Sequence, residues 1–208
     1  MNHGLDRVDK AEPSANEPYT DNMPDAPEVK FVSTRKGINV YDTDAYYYSP
    51  IAGKGITIYV IEEGFNMTNS ELRGMPGRKD WVWPKQDFWS NHYNEHYSPS
   101  DDDRVGHGTC VLSKATGVRF GIAKKADVKL VRFLGHTAAG SGQFGLLEAF
   151  ARVRQDVLDN TLQGKAIINL SHGVAISDDD TRAAFKEVVA DLLSIDVVIV
   201  VASGNDRV

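Results

Sequence analysis

A chain of 208 residues, 41% apolar and 25% charged, can bury one sizeable core, and its net charge of −6 comes from interspersed acids and bases. No basic cluster is present to track a phosphate backbone, which argues against a nucleic-acid partner, and apolar runs such as 197–202 fall far short of the roughly 20 residues that a membrane crossing needs. The single cysteine, Cys110, excludes an intramolecular disulfide.

Residues 1–28 are rich in Pro, Asn, Asp and Glu and poor in apolar side chains, so they are expected to form a disordered or loosely attached tail. They contain no apolar stretch of signal-peptide type, and as written the chain carries no export address. The globular part is expected over 29–208. Past a linker that closes on Gly53 and Gly55, the apolar, largely β-branched run 56–61 predicts a buried strand that delivers Glu62 and Glu63 to its carboxyl end. The segment "HGTCVLSKATG" predicts a short helix ended by Gly117, and 128–134 a second strand. A helix over 143–163 follows from Leu147, Phe150, Ala151, Val157 and Leu158, with Gly164 as its stop. Residues 166–170 predict a third strand. The segment "SDDDTRAAFKEVVADLLS" begins with capping and acidic residues and continues as a helix before a fourth strand at 197–202.

Strands alternating with helices of this length imply βαβ units, hence an α/β fold of three layers with a mostly parallel sheet covered on both faces. Ligands of such sheets gather beyond the carboxyl ends of the strands. That rule selects Glu62 and Glu63, then "LGHTAAGSGQF", "SHGV" and "SGND". His107, between two glycines at a predicted helix start, faces the positive end of the helix dipole, which favours the neutral ring able to accept a proton. A capping or surface histidine is the plainer alternative.

Six segments, "GITIYVIEEGF", "GHGTCV", "RFGIAKKADVKLVRFL", "GSGQF", "AIINLSHG" and "VVIVVASGND", together resemble the subtilisin family of serine peptidases, in the same order and at similar intervals, closest to the proteinase K branch and its fungal relatives. The resemblance runs from about Gly55 to the last residue. It implies the N-terminal two-thirds of a subtilisin-like domain whose C-terminal third is missing. Glu62 would then hold the position of the catalytic acid, normally Asp, and orient the base His107. Asn205 would donate its side-chain amide to the oxyanion. Ser141 and Gly142, with Ser171, His172 and Gly173, would form the strand edges that grip a peptide or protein substrate. His172 stands where the family usually has an apolar residue. The family's nucleophilic serine lies downstream of the asparagine, and this chain ends three residues after Asn205, so the 208 residues alone are expected to be inert and poorly soluble or partly unfolded. No cofactor is required for such chemistry. Calcium often stabilises the family, whose members are mostly secreted, but no ligands are assignable here. The alternative is a non-catalytic relative that binds peptide or a partner through the same edges.

Three other patterns compete for attention. "GSGQFG" matches a dinucleotide fingerprint but lies too far from its strand, and the next strand ends without the acid that would hold a ribose. "HYNEH", with His92 and His96, matches an inverted zinc-peptidase motif but sits in an aromatic loop rather than on a helix. The acids at 101–103 suggest calcium, yet three consecutive carboxylates cannot face one ion, and a solvated loop is the simpler expectation. Cys110 is read as a small buried residue on the inner face of its helix, with a reactive thiol beside the base as the alternative.

Overall fold

The computed structural model describes residues 19–22, 26–43, 45–77, 79–83, 103, 106–133, 141–176 and 178–205. They fall into two compact units, 1–51 and 52–208. In the first, strand β1 (Tyr19–Asn22) pairs antiparallel with β2 (Ala45–Tyr48), and helix α1 (Pro27–Ser33) packs on β2, tied to it where Tyr47 N donates to Ser33 Oγ at 3.2 Å. The stretch expected as a tail therefore includes a paired strand and the start of a helix. Residues 1–18 lie outside the described ones.

The second unit is a five-stranded, wholly parallel sheet in the order β4-β5-β3-β6-β7, formed by β3 (Thr57–Glu62), β4 (Lys79–Trp83), β5 (Asp127–Arg132), β6 (Ala166–Leu170) and β7 (Val197–Val201). All six residues of the central strand β3 are buried, as a strand covered on both faces requires. Side chains alternate across it. Tyr59 and Ile61 join Val131, Ile168 and Val197 under the helices α4 (Ser141–Asp159) and α5 (Asp179–Ser194), whose Leu146, Phe150, Val153, Val157 and Leu192 fill that layer. Ile58 and Val60 face the opposite layer with Val128 and Leu130, against Leu72 of α2 (Ser70–Arg73) and Leu112 of α3 (His107–Thr116). The start of α5 is built as its sequence indicates: the Asp178 carboxylate accepts from Thr181 N at 2.7 Å and from Thr181 Oγ1 at 2.9 Å. On β7, Val198 and Val200 remain exposed among the described residues.

One polar cluster crosses the α4 layer. The Tyr59 hydroxyl donates to Asp156 Oδ2 at 2.6 Å, and the buried Lys129 ammonium lies 3.3 Å from the same carboxylate oxygen. Burial, then the hydrogen bond and the charge of Asp156, push the Tyr59 phenol well above its ordinary range. Because the folded phenol resists ionisation, its contribution to stability is complete below the unfolded value of about 10 and is lost as the pH rises beyond it. Tyr59→Phe is expected to lower stability by about 1.5–3 kcal/mol, since a hydrogen bond to a charged group is removed. The variant should also lose less stability than the parent above about pH 10, a pair of effects read by urea unfolding at neutral and alkaline pH.

Candidate active site

Alternation along β3 sets the position of its last residue. Glu62 shares a face with Ile58 and Val60, so its carboxylate turns toward the layer that holds α3. The side chain has no solvent exposure, and its Oε2 lies 2.9 Å from Nδ1 of His107, the first residue of α3. The His107 side chain keeps 46% exposure although its Nδ1 is held by the acid.

Several local features fix that ring. The residue before the helix, Gly106, has φ +79°, a conformation that glycine adopts without strain, but it offers no side chain to cap the helix. Asp103 supplies the cap: its carboxylate accepts from Gly106 N at 2.8 Å and Thr109 N at 2.7 Å, and pairs with the Thr109 hydroxyl. The same hydroxyl oxygen accepts from Asn66 N at 2.9 Å, which ties the helix start to the loop that follows β3. Asp103 is thus a structural acid, where a solvated loop was expected. Asp101, Asp102 and the His92–His96 motif lie outside the described residues.

Gly108 lets the two elements touch. A Cβ there would stand 2.1 Å from the Gly64 carbonyl oxygen and 3.0 Å from Glu62 Cβ. Gly108→Ala is therefore expected to destabilise the fold by roughly 1–3 kcal/mol through overpacking, although helix propensity alone favours alanine by about 1 kcal/mol. Thermal melts and the spacing of His107 from Glu62 in a structure of the variant would check this.

His172 reaches the same carboxylate oxygen. It follows β6, the neighbour of β3, and its Nε2 lies 3.0 Å from Glu62 Oε2, with the ring edge-on to His107 at 5.0 Å between centroids and to Phe133 at 5.3 Å. The distance suits a hydrogen bond but the direction does not: His172 Nε2 and Glu62 Oε1 are both buried polar atoms without a hydrogen-bond partner. The sequence placed His172 at a substrate edge. The structure turns its ring to the acid.

The remaining expected site residues are distributed along the same carboxyl edge. Ser171 and Gly173 flank His172 in the segment after β6, which has no regular secondary structure. Ser141 and Gly142 open α4, in its first turn rather than on an extended edge. Asn205 stands exposed in the turn after β7, where Gly204 has φ +91°, two strands from β3 and so about 10 Å across the sheet. Cys110 is exposed, because the buried stripe of α3 runs through Gly108, Leu112 and Thr116 at steps of four and leaves position 110 on the other side. It lines a cleft of about 420 Å³ with Asn66, Asp103, Thr109 and Phe120.

A central parallel strand that ends in a buried acid, with a histidine at the first turn of the facing helix and a glycine at their contact, brings a carboxylate and an imidazole together at the carboxyl edge of an α/β fold. The model of the subtilase family matches residues 53–208, and the chain belongs to that family. Among curated relatives it is 30% identical to subtilisin-like protease 4 of Trichophyton rubrum over 78% of this chain and 36% of the relative. With subtilisin-like protease 1 of Arthroderma gypseum it shares 31% identity over 79% of this chain and 30% of the relative. The chain spans about a third of the length of these relatives. Among solved structures, the nisin leader peptidase NisP of Lactococcus lactis superposes with a TM-score of 0.52 and 24% identity over 74% of this chain and 45% of that one. The prenylagaramide maturation protease PagA gives 0.51 and 17% over 76% and 48%. Both are likenesses of fold. Among the described residues no helix is long and apolar enough to cross a membrane.

Proposed function

We propose that these residues are the acid–base half of a serine endopeptidase. The observation that carries the reading is the fully buried Glu62 carboxylate 2.9 Å from Nδ1 of His107. A carboxylate there accepts Nδ1–H, holds the tautomer whose Nε2 lone pair faces the open side, and stabilises the imidazolium formed when that nitrogen takes a proton from a hydroxyl. The nucleophilic serine would come from chain beyond Val208. Asn205 would donate to the oxyanion, and the backbone of Ser171, His172 and Gly173, together with Ser141 and Gly142, would pair with a protein or peptide substrate. No cofactor takes part in these steps.

A fluorophosphonate, which labels only an activated serine, tests this directly. A form extended past Val208 should be labelled at one serine, and the 208-residue chain should not. Absence of labelling in a folded extended form would reject the reading. One observation favours a second reading, a non-catalytic relative that binds peptide through the same edges: Glu62 Oε2 is contacted by two imidazoles, at 2.9 and 3.0 Å, and so does not serve His107 alone. That reading predicts peptide binding without labelling.

A further inference from the structure

We propose that Glu62, His107 and His172 form a three-ligand site for a borderline divalent transition metal, Zn2+ by chemical type. We further propose that occupancy of this site arrests the base. The second statement rests on the role proposed for His107; the first does not.

The donor set comes first. One carboxylate oxygen and two imidazole nitrogens lie within 4.8 Å of one another, and two histidines with a glutamate is a zinc-binding combination that leaves a fourth position free. Hard cations are disfavoured, because Ca2+ and Mg2+ take oxygen ligands in larger numbers than one carboxylate can supply. Spacing comes next. Ligands bound at about 2.0–2.1 Å around a tetrahedral ion stand roughly 3.3–3.4 Å apart, whereas Glu62 Oε2 is 2.9 Å from His107 Nδ1 and 3.0 Å from His172 Nε2. A few tenths of an ångström of separation admits the ion. The two rings have room to move, with side-chain exposures of 46% for His107 and 24% for His172, and the exposed side leaves an entry path and space for a water ligand.

Two loose ends in the protein then acquire a reason. Glu62 Oε1 and His172 Nε2 are buried without hydrogen-bond partners, although the latter lies within reach of the carboxylate. Buried polar atoms are normally satisfied, and a cation bound between Glu62 Oε2 and His172 Nε2 would engage the nitrogen and neutralise the charge shared by both carboxylate oxygens. Two adjacent imidazoles that compete for one carboxylate oxygen are a poor ion-pair arrangement but a good chelate.

The consequence for the base follows from the valence of imidazole. A neutral ring has one lone pair on nitrogen. If the metal takes the Nδ1 lone pair of His107, the ring proton resides on Nε2, which can then no longer accept a proton from a hydroxyl. His172, bound through Nε2, carries its proton on Nδ1. Neutral rings shift tautomer and release no proton, so the exchange balances.

The 208-residue chain can be titrated with Co2+ as the visible probe and then with Zn2+ as competitor. The expected result is one ion per chain, with the intense visible bands of four-coordinate cobalt that Zn2+ abolishes. His172→Leu should weaken binding by more than about a hundredfold, beyond the roughly 10–100-fold cost of losing a partner that only supports a ligand. His172→Cys, which offers a thiolate, should restore binding with a sulfur-to-metal charge-transfer band. Far-UV circular dichroism confirms that each variant is folded. A weak six-coordinate spectrum overturns the proposal, as does binding that survives His172→Leu and disappears in a His92→Ala/His96→Ala double variant. In an extended form, Zn2+ should block fluorophosphonate labelling of the parent protein over the concentration range in which it displaces Co2+, and removal of the ion by a chelator should restore labelling; labelling that persists in the zinc-loaded protein overturns the arrest of the base. If the extended form is never labelled in metal-free buffer, the peptidase reading fails while the cobalt result still decides the metal site.

Discussion

Replacing His107 by alanine in a form extended through the nucleophile lowers kcat by on the order of a millionfold with KM little changed, a magnitude known for the base of a subtilisin rather than deduced from this geometry. The reasoning starts from what the ring does and does not hold up. Its side chain is 46% exposed and sits at the first position of α3, so truncation opens no core cavity and the helix start remains capped by Asp103. The buried Glu62 carboxylate also keeps an imidazole within reach, because His172 Nε2 lies 3.0 Å from the same oxygen. The melting temperature should therefore change far less than the rate. Nothing else described at this edge is placed to accept the proton: His172 is turned toward the carboxylate and packed edge-on against Phe133. If the variant retains more than about a thousandth of the parent kcat, the base lies elsewhere, since the expected loss is on the order of a millionfold. If it unfolds, the helix start depends on the ring. Single-turnover kinetics together with a thermal melt separate the two.

How far this site can be read from the residues depends on whether each contact is local. The strands β3, β5, β6 and β7 were legible as short runs rich in apolar residues, of which β3 alone is buried along its whole length, and α3 because a glycine stands at each end of it. Strand β4 was not: "KDWVW" is five residues long with two charges, sits at the sheet edge and takes its register from β5. The exposure of Cys110 was misread because the buried stripe of α3 is made of Gly108, Leu112 and Thr116, so small and polar residues occupy positions where a hydrophobic pattern shows little signal. The cap by Asp103 becomes visible only once Gly106 is known to be left-handed. The meeting of His172 with Glu62 depends on β6 lying beside β3 in the sheet, a neighbour relation that no spacing along the chain encodes.

That same sheet geometry makes the acid the sharpest test of the active-site reading. The family places aspartate at this position, so a conservative expectation would have Glu62→Asp leave activity intact or improve it. The structure leads to the opposite result. The distance between β3 and α3 is held by Gly108 against the Gly64 carbonyl, where even a Cβ would lie 2.1 Å from oxygen, and by the bond from Asn66 N to Thr109 Oγ1 at 2.9 Å. With the helix held there, shortening the side chain by one bond of about 1.5 Å draws the carboxylate back from Nδ1, and the ring must rotate or accept a water in the gap. A displacement of that size costs on the order of a hundredfold in kcat. Glu62→Gln keeps the reach and removes the charge; by presenting a mixed donor and acceptor to Nδ1 it favours the wrong tautomer, and the loss should be larger, about ten-thousandfold. The order parent, then Asp, then Gln is the expected result in kcat at saturating substrate. An aspartate variant as fast as the parent would mean that α3 follows the shorter acid, and that the glycine contact does not set the spacing. A glutamine variant as fast as the parent would leave Glu62 without a part in the chemistry, since a base that works beside a neutral amide does not need a carboxylate behind it.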